Sequence, residues 1–388
     1  MYDVIVIGVG SMGSSACYYL AGRGYKVLGL EQFDIPNELG SHTGQSRIIR
    51  KAYFEHPDYV PLLNGAYENW KDLENETETQ IYYRTGLVYF GRPEHELIKG
   101  VKLSASLYNI PLETVDASSA AKRFPQFKLP PGFETIFEPD AGFITPEKAI
   151  TLYKERAKKK GAKIHTNEKV IGWTKDGAGI IVKTEKESYS CDKLIITSGA
   201  WTGKFVPGLA DKIKVTRQAI VWTQPKKEND FVINNFPCWM IADDQKPGCY
   251  YGFPILPVSE FGEPAGLKIA YHYPGLITDP DNVNRQTPTE DKQNLYYLFN
   301  KYFPGAFDEE YTFKTCLYAN SPDENFIIDK LSGFEEQVSF ACGFSGHGFK
   351  FASVIGEILA DLAIEGRTKH PVDFLSARRF GMRLTQSN

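Results

Sequence analysis

The chain has 388 residues, and its 44 Lys and Arg against 48 Asp and Glu leave a formal net charge of −4. Its 42% hydrophobic and 24% charged shares exclude wholesale disorder, and the length predicts two or three compact units around real cores. The slightly acidic balance offers no general attraction for nucleic acid, and no stretch approaches the ~20 apolar residues of a membrane span, so neither partner is expected.

Met1-Tyr2-Asp3 carries no basic stretch, and the apolar run Val4-Ile5-Val6-Ile7 breaks at Gly8, which does not read as a targeting signal. That β-branched run predicts a strand buried on both faces. It leads into Gly8-Val9-Gly10-Ser11-Met12-Gly13, then a helix with Ala16, Tyr19 and Leu20 at helical spacing, closed by Gly22 and Gly24. A second strand over Lys26–Leu30 ends in Glu31. This is the complete strand, G-x-G-x-x-G, helix, strand, acid unit of a dinucleotide site. Gly8 permits the tight turn, Gly10 lets a pyrophosphate approach the backbone, and Gly13 lets helix and strand pack closely. The helix start at Ser11 and Met12 offers N–H groups and a positive dipole end to phosphates. Glu31 is placed to accept hydrogen bonds from a ribose diol and disfavours a 2′-phosphate. The unit alone fits NAD or FAD equally.

Further on, Ser41-His42-Thr43-Gly44-Gln45-Ser46-Arg47-Ile48-Ile49-Arg50 sets Arg47 and Arg50 three apart, on one face if the segment is helical. The spacing fits either a solvated basic face or a carboxylate clamp. An amphipathic helix is predicted from Glu147 to Lys160, stopped by Gly161, with its closing Lys run complementing the helix dipole. Lys163-Ile164-His165 and Lys193–Ser198 read as strands, the latter running into a Gly199 turn. From about Val215 to Tyr318 the texture becomes aromatic and alternating, which predicts an antiparallel sheet in a second domain. There Lys268 and His272 share one strand face. Val338–Cys342 is strand-like and precedes Gly343-Phe344-Ser345-Gly346-His347-Gly348-Phe349-Lys350 and an apolar-faced helix. This second glycine-rich loop favours FAD, whose diphosphate and ring ends both need partners. The six cysteines, Cys17, Cys191, Cys238, Cys249, Cys316 and Cys342, show no metal-like spacing; free thiols, no metal and a cytoplasmic location are expected.

The N-terminal unit, Gly44-Gln45-Ser46-Arg47-Ile48-Ile49-Arg50, Tyr251-Gly252-Phe253-Pro254, Gly266-Leu267-Lys268, Cys316-Leu317-Tyr318 and Gly346-His347-Gly348-Phe349-Lys350 together resemble the monomeric sarcosine oxidase and N-methyltryptophan oxidase family of FAD amine oxidases. The resemblance spans nearly the whole chain. It implies a Rossmann-like FAD-binding domain of glutathione-reductase type over 1–84, 146–214 and 321–388. A substrate domain built on a mostly antiparallel sheet would take 85–145 and 215–320. The fold class is therefore α/β plus α+β.

The resemblance also implies roles. Cys316 matches the cysteine joined covalently to the flavin 8α-methyl. Arg50 and Lys350 match the residues that hold the substrate carboxylate, Arg47 the arginine beside the flavin ring, and Lys268 the lysine associated with oxygen activation. Tyr251, His272 and Tyr318 match residues lining the substrate pocket; Ser46, Val170, Gly199, Gly346, Gly348 and Lys350 are expected beside the cofactor. The implied reaction is oxidative demethylation of an N-methyl amino acid: sarcosine, O2 and water give glycine, formaldehyde and hydrogen peroxide, in a monomer. N-methyl-L-tryptophan and L-pipecolate are alternatives within the family. An NAD-dependent dehydrogenase and a flavin dehydrogenase with a protein acceptor are alternatives outside it. Three departures stand out: Ser46 where Thr is usual, Thr43 where His is common, and a longer Ile255–Ala265 segment, expected to reshape the pocket mouth.

Overall fold

A computed structural model describes residues 1–206, 208–272, 275–286, 289–307 and 309–381, with the side chains of 309–311 set aside; the last residues of the 321–388 segment fall outside it. The first sheet has eight strands. Tyr2–Ile7 lies at its heart, parallel to Val27–Leu30 on one side and to Ser188–Ile196 on the other. Val4, Ile5 and Val6 are fully buried, as a two-sided apolar strand requires. Lys163–His165 extends the sheet beyond Val27–Leu30, and Val338–Cys342 pairs in parallel with Ser188–Ile196. Three helices pack on one face: Ser11–Gly22 sits between Pro146–Lys159 and Ala352–Ile364. Their apolar stripes, including Leu20, Ile150, Ile355 and Leu359, close one core against Val4 and Val6.

The second sheet has nine strands. Lys214–Gln224 pairs antiparallel with Glu309–Asn320 and with Leu267–His272, and the sheet continues through Cys249–Gly252 and Cys238–Ala242. Its one departure from the expected antiparallel order among the described strands is the parallel pair of Cys238–Ala242 with Leu87–Gly91. A small third sheet joins Arg47–Ile49, Gly142–Ile144 and Tyr82–Tyr83. The arginine segment is thus a strand and its exit, not a helix. Its register comes from pairing with Phe143 and Ile144 rather than from helical spacing. All six cysteines are buried and unpaired. No helix among the described residues is long and apolar enough to cross a membrane, and no metal-like cluster of His, Cys, Asp or Glu occurs among them.

Candidate functional site

A continuous cleft of about 1660 Å³, open mouth included, runs from the Gly8–Gly13 turn past Arg47 to Lys350.

The glycines at one end act as their spacing predicts. Gly8 sits at φ +86°, and a Cβ there would lie 2.7 Å from the Thr197 carbonyl oxygen. At Gly13 a Cβ would lie 1.9 Å from the Gly8 oxygen, so helix and strand touch through bare backbone. Around Gly10, by contrast, the nearest atom to a Cβ is 3.9 Å away, and that side faces the cleft. The helix Ser11–Gly22 begins with no side-chain cap and no acid in its first turn, leaving its N–H groups for an anion. Glu31 lines the same end; its carboxylate accepts from Val9 N (2.9 Å) and Phe33 N (3.1 Å), and burial pushes it up to about 7. Uncapped helix, open Gly10 and fixed acid together fit the diphosphate and ribose of FAD. Val170, Gly199, Gly346 and Gly348 line the cleft as well.

Midway stands a cationic wall. Arg47 donates to the Ser46 (2.9 Å), Ser41 (3.2 Å) and Thr43 carbonyls, so its charge meets dipoles and no carboxylate among the described contacts. Directly behind it, Lys268 Nζ donates to Gly44 O (2.5 Å), Ser46 O (2.6 Å) and Ser46 Oγ (3.2 Å). Lys268 is buried over the Phe253 ring; burial, reinforced by the Arg47 charge, holds its ammonium well below the usual lysine range.

At the far end, Arg50 is 2% exposed and stacks over Tyr53, and its Nη2 meets both Glu55 carboxylate oxygens at 2.7 Å. Burial would raise the Glu55 carboxyl, but Arg50, with His347 and Lys350 adding to it, outweighs that and holds the group at about 2. Arg50 Nε is buried and unpartnered. Lys350 Nζ donates to His347 O (2.7 Å); burial and then the Arg50 charge bring it down to about 7, against the pull of Glu55. His347 Nε2 faces the Glu324 carbonyl (3.0 Å), which can only accept, so the ring proton sits there and Nδ1 accepts from Tyr53 OH (2.5 Å). Burial keeps that ring neutral, down at about 3.

Tyr251, His272 and Tyr318 close the flank, with ring centroids 6.4 Å apart for Tyr251–His272 and 5.7 Å for His272–Tyr318. His272 is held neutral by burial, at about 4. Cys316, two residues before Tyr318 on Glu309–Asn320, is 2% exposed. Burial raises its thiol, while the Arg47 and Lys268 charges work the other way.

Most of the residues singled out in the sequence thus line one cleft. Gly13, Ser46, Lys268 and Cys316 stand immediately behind its walls. The Ile255–Ala265 segment supplies none of the lining: Phe261 packs against Tyr83 and Phe143, and Tyr83 OH donates to Glu260 (2.5 Å). The expectation that it reshapes the mouth does not hold, because its aromatic contacts draw it outward onto the third sheet. Sequence reasoning missed Glu55, Tyr53, Met240 and His347. Glu55 follows Arg50 by five residues, a spacing that matches no helix or strand face, so only the folded turn reveals the pair.

Residues 3–362 match the family model of FAD-dependent oxidoreductases, DAO. The chain is 38% identical over 386 residues to the monomeric sarcosine oxidase of Bacillus sp. (strain B-0618), covering 97% of this chain and 96% of that one. It is 35% identical over 372 residues to the N-methyl-L-tryptophan oxidase of Salmonella enteritidis, covering 95% of each. Its fold is similar to that of L-proline dehydrogenase from P. horikoshii, with TM-score 0.83 at 24% identity and 98% of each chain covered.

Proposed function

The chain belongs to the FAD-dependent oxidoreductases, in the family of monomeric sarcosine oxidase and N-methyl-L-tryptophan oxidase, and from that premise we propose that it oxidises a small N-methyl amino acid, sarcosine foremost, with O2 as acceptor. The observation that carries this reading is the pair of buried cations, Arg50 and Lys350, at the closed end of the cleft. With one carboxylate, Glu55, between them, they suit an incoming carboxylate that must be neutralised as it leaves water.

FAD, when bound, supplies the acceptor for the two electrons of amine oxidation and their route to O2. The Gly8–Gly13 turn, Ser11, Met12, Glu31, Val170 and Gly199 would hold its dinucleotide end, with Gly346 and Gly348 along its length. Arg50 and Lys350 fix the substrate carboxylate. Arg47 adds positive charge nearby, which favours the neutral amine over its ammonium form, and the neutral amine is the oxidisable one. Lys268, beside Arg47, serves the reaction with O2, its charge stabilising the anion that develops as O2 accepts electrons. His272 and Tyr318 border the amine without adding charge. Segments 1–84, 146–214 and 321–388 carry the cofactor in this reading, and 85–145 and 215–320 the substrate walls. The enzyme is a cytoplasmic monomer.

The close spacing of Tyr251, His272 and Tyr318 favours a small substituent on the substrate's α-carbon over an indole. Peroxide assays with sarcosine, N-methyl-L-tryptophan and L-pipecolate are expected to give the highest kcat/KM for sarcosine. A higher value for N-methyl-L-tryptophan overturns that choice.

Cys316 is proposed to carry the flavin through an 8α thioether, the adjacent Arg47 and Lys268 charges stabilising the thiolate that must form. Acid precipitation of wild type is expected to leave the yellow colour in the pellet, and of Cys316→Ala in the supernatant. Colour in the mutant's pellet assigns the link to another residue.

Lys350 gives a pH dependence. Its ammonium form favours carboxylate binding, and in the free protein that form is lost as pH rises through about 7. The Kd of a simple carboxylate lacking an amine, such as methoxyacetate, is therefore expected to be flat below about 7 and to rise by up to about tenfold per pH unit above it. Lys350→Arg, which stays charged, flattens the profile; an unchanged slope in that variant removes Lys350 from the carboxylate site.

A further inference from the structure

The Lys268 ammonium is held by backbone oxygens, and what fixes those oxygens lies outside the cleft. Gly44 O and Ser46 O converge on Nζ because the chain reverses tightly between them: Ser46 N donates back to Gly44 O (2.7 Å), with Gln45 at φ 65° in the middle. A γ-turn of this hand is rare for a residue bearing a side chain and persists only where its surroundings hold it. Here they do so from two directions. The Gly44 and Gln45 N–H groups both donate to Glu147 Oε1 (2.7 and 3.2 Å). The Gln45 side chain uses its whole amide: Nε2 donates to Gly262 O (2.7 Å) and Pro264 O (3.1 Å), and Oε1 accepts from Trp222 Nε1 (2.9 Å). Trp222 faces Lys268 across its own strand pair.

We infer that Gln45 and the Gly262–Pro264 turn of the longer 255–265 segment form a clamp that positions the Lys268 ammonium, so that this segment acts on the oxygen-reacting side of the site rather than on substrate entry. The inference rests on the role given to Lys268 under the proposed function, and not on which amine is the substrate. Gln45 is a positioning residue: it lies outside the cleft lining and acts through the carbonyls on either side of it.

Gln45→Gly tests this without imposing strain, since glycine accepts the positive φ while losing all three side-chain hydrogen bonds. Gln45→Met is the second variant, keeping bulk without donors. Two readouts separate the clamp from simple destabilisation. Hydrogen exchange on the purified protein is expected to show lost protection across 258–266 in both variants. Reoxidation of dithionite-reduced, flavin-loaded protein by O2 needs no substrate; it is expected to slow by about tenfold or more, the scale of one misplaced charge-assisted hydrogen bond. Carboxylate affinity should stay at the wild-type value. Lys268→Met serves as the reference. If Lys268→Met slows reoxidation and the Gln45 variants do not, the clamp is overturned and the lysine's role stands. If Lys268→Met leaves reoxidation unchanged, the lysine's role falls and takes the clamp's purpose with it. Retained protection across 258–266, or a loss of carboxylate affinity in place of oxygen reactivity, also overturns the inference.

Discussion

Arg50→Ala is expected to raise the KM for an N-methyl amino acid by about 30-fold to 1,000-fold, or ~2–4 kcal/mol, with kcat changed far less. The size follows from burial. Arg50 is 2% exposed, and its guanidinium is committed to Glu55, to the Ala52 carbonyl (3.0 Å) and to the rings of Tyr53 and Phe54. Removing it does two things of the same sign. The incoming carboxylate loses a planar, permanently charged partner that Lys350 alone does not replace, because burial brings Lys350 down to about 7. Glu55 also loses the charge that holds it at about 2 and becomes a buried anion facing the substrate's own. Breaking a buried pair from one side is the costly case. Stability should fall as well, and this separates the variant from Lys350→Ala, in which no carboxylate is abandoned. Steady-state kinetics with sarcosine, alongside the Kd of methoxyacetate, checks the split. A wild-type KM in Arg50→Ala places the carboxylate elsewhere.

A further buried acid holds the turn that presents Arg50. Glu138 is fully buried, with one carboxylate oxygen accepting from the Lys51 and Ala52 N–H groups (2.6 and 3.2 Å) and the other from Tyr89 OH (2.6 Å). It ties the exit of the Arg47–Ile49 strand to the strand Glu134–Glu138 of the larger sheet. Both ends of the arginine segment are thus anchored by carboxylates, the half-buried Glu147 at Gly44 and the buried Glu138 at Lys51 and Ala52.

What was legible in the sequence was whatever local chemistry alone determines. The strand–glycine–helix unit could be read from eight to thirteen because each glycine there answers a local demand: a positive φ at Gly8, a bare contact at Gly13, an open approach at Gly10. The helices Pro146–Lys159 and Ala352–Ile364 followed from apolar periodicity, the first also from its basic last turn. The arginine segment was not legible in the same way. Three-residue spacing suggested a helical face, whereas pairing with Gly142–Ile144, almost a hundred residues away, makes it a strand. Glu55, Tyr53 and His347 meet only through long-range packing; Tyr53 and His347 are 294 apart in sequence. The 255–265 segment misled for a related reason. Its closeness to Lys268 in sequence suggested the pocket mouth, but Tyr83, Phe143 and Gln45 draw it to the outside of the same loop.

Lys268→Met is expected to slow reaction of the reduced enzyme with O2 by ~10²–10³-fold, the range found when one preorganised donor is removed from a developing anion, while carboxylate affinity stays unchanged. The geometry explains why the lysine is irreplaceable by its neighbours. Its three N–H donors meet Gly44 O, Ser46 O and Ser46 Oγ, all uncharged, so no carboxylate bonds the ammonium directly. An anion formed close by would gain from that charge as it develops, whereas neutral O2 would not, and such differential stabilisation is what accelerates a step. Arg47 contributes charge to the same region and shares Ser46 O with Lys268, but its remaining bonds go to Ser41 O and Thr43 O, and it lines the cleft whereas Lys268 does not. Methionine matches the length and apolar stem of lysine, and Phe253 and Trp222 already form an apolar collar around the side chain. Removing a buried charge from such a collar is close to neutral for stability, so thermal unfolding should shift little while peroxide production under air collapses. Anaerobic mixing with substrate should still bleach the flavin absorbance at near the wild-type rate. Loss of that bleaching as well would move Lys268 from the oxygen side of the reaction to the amine side.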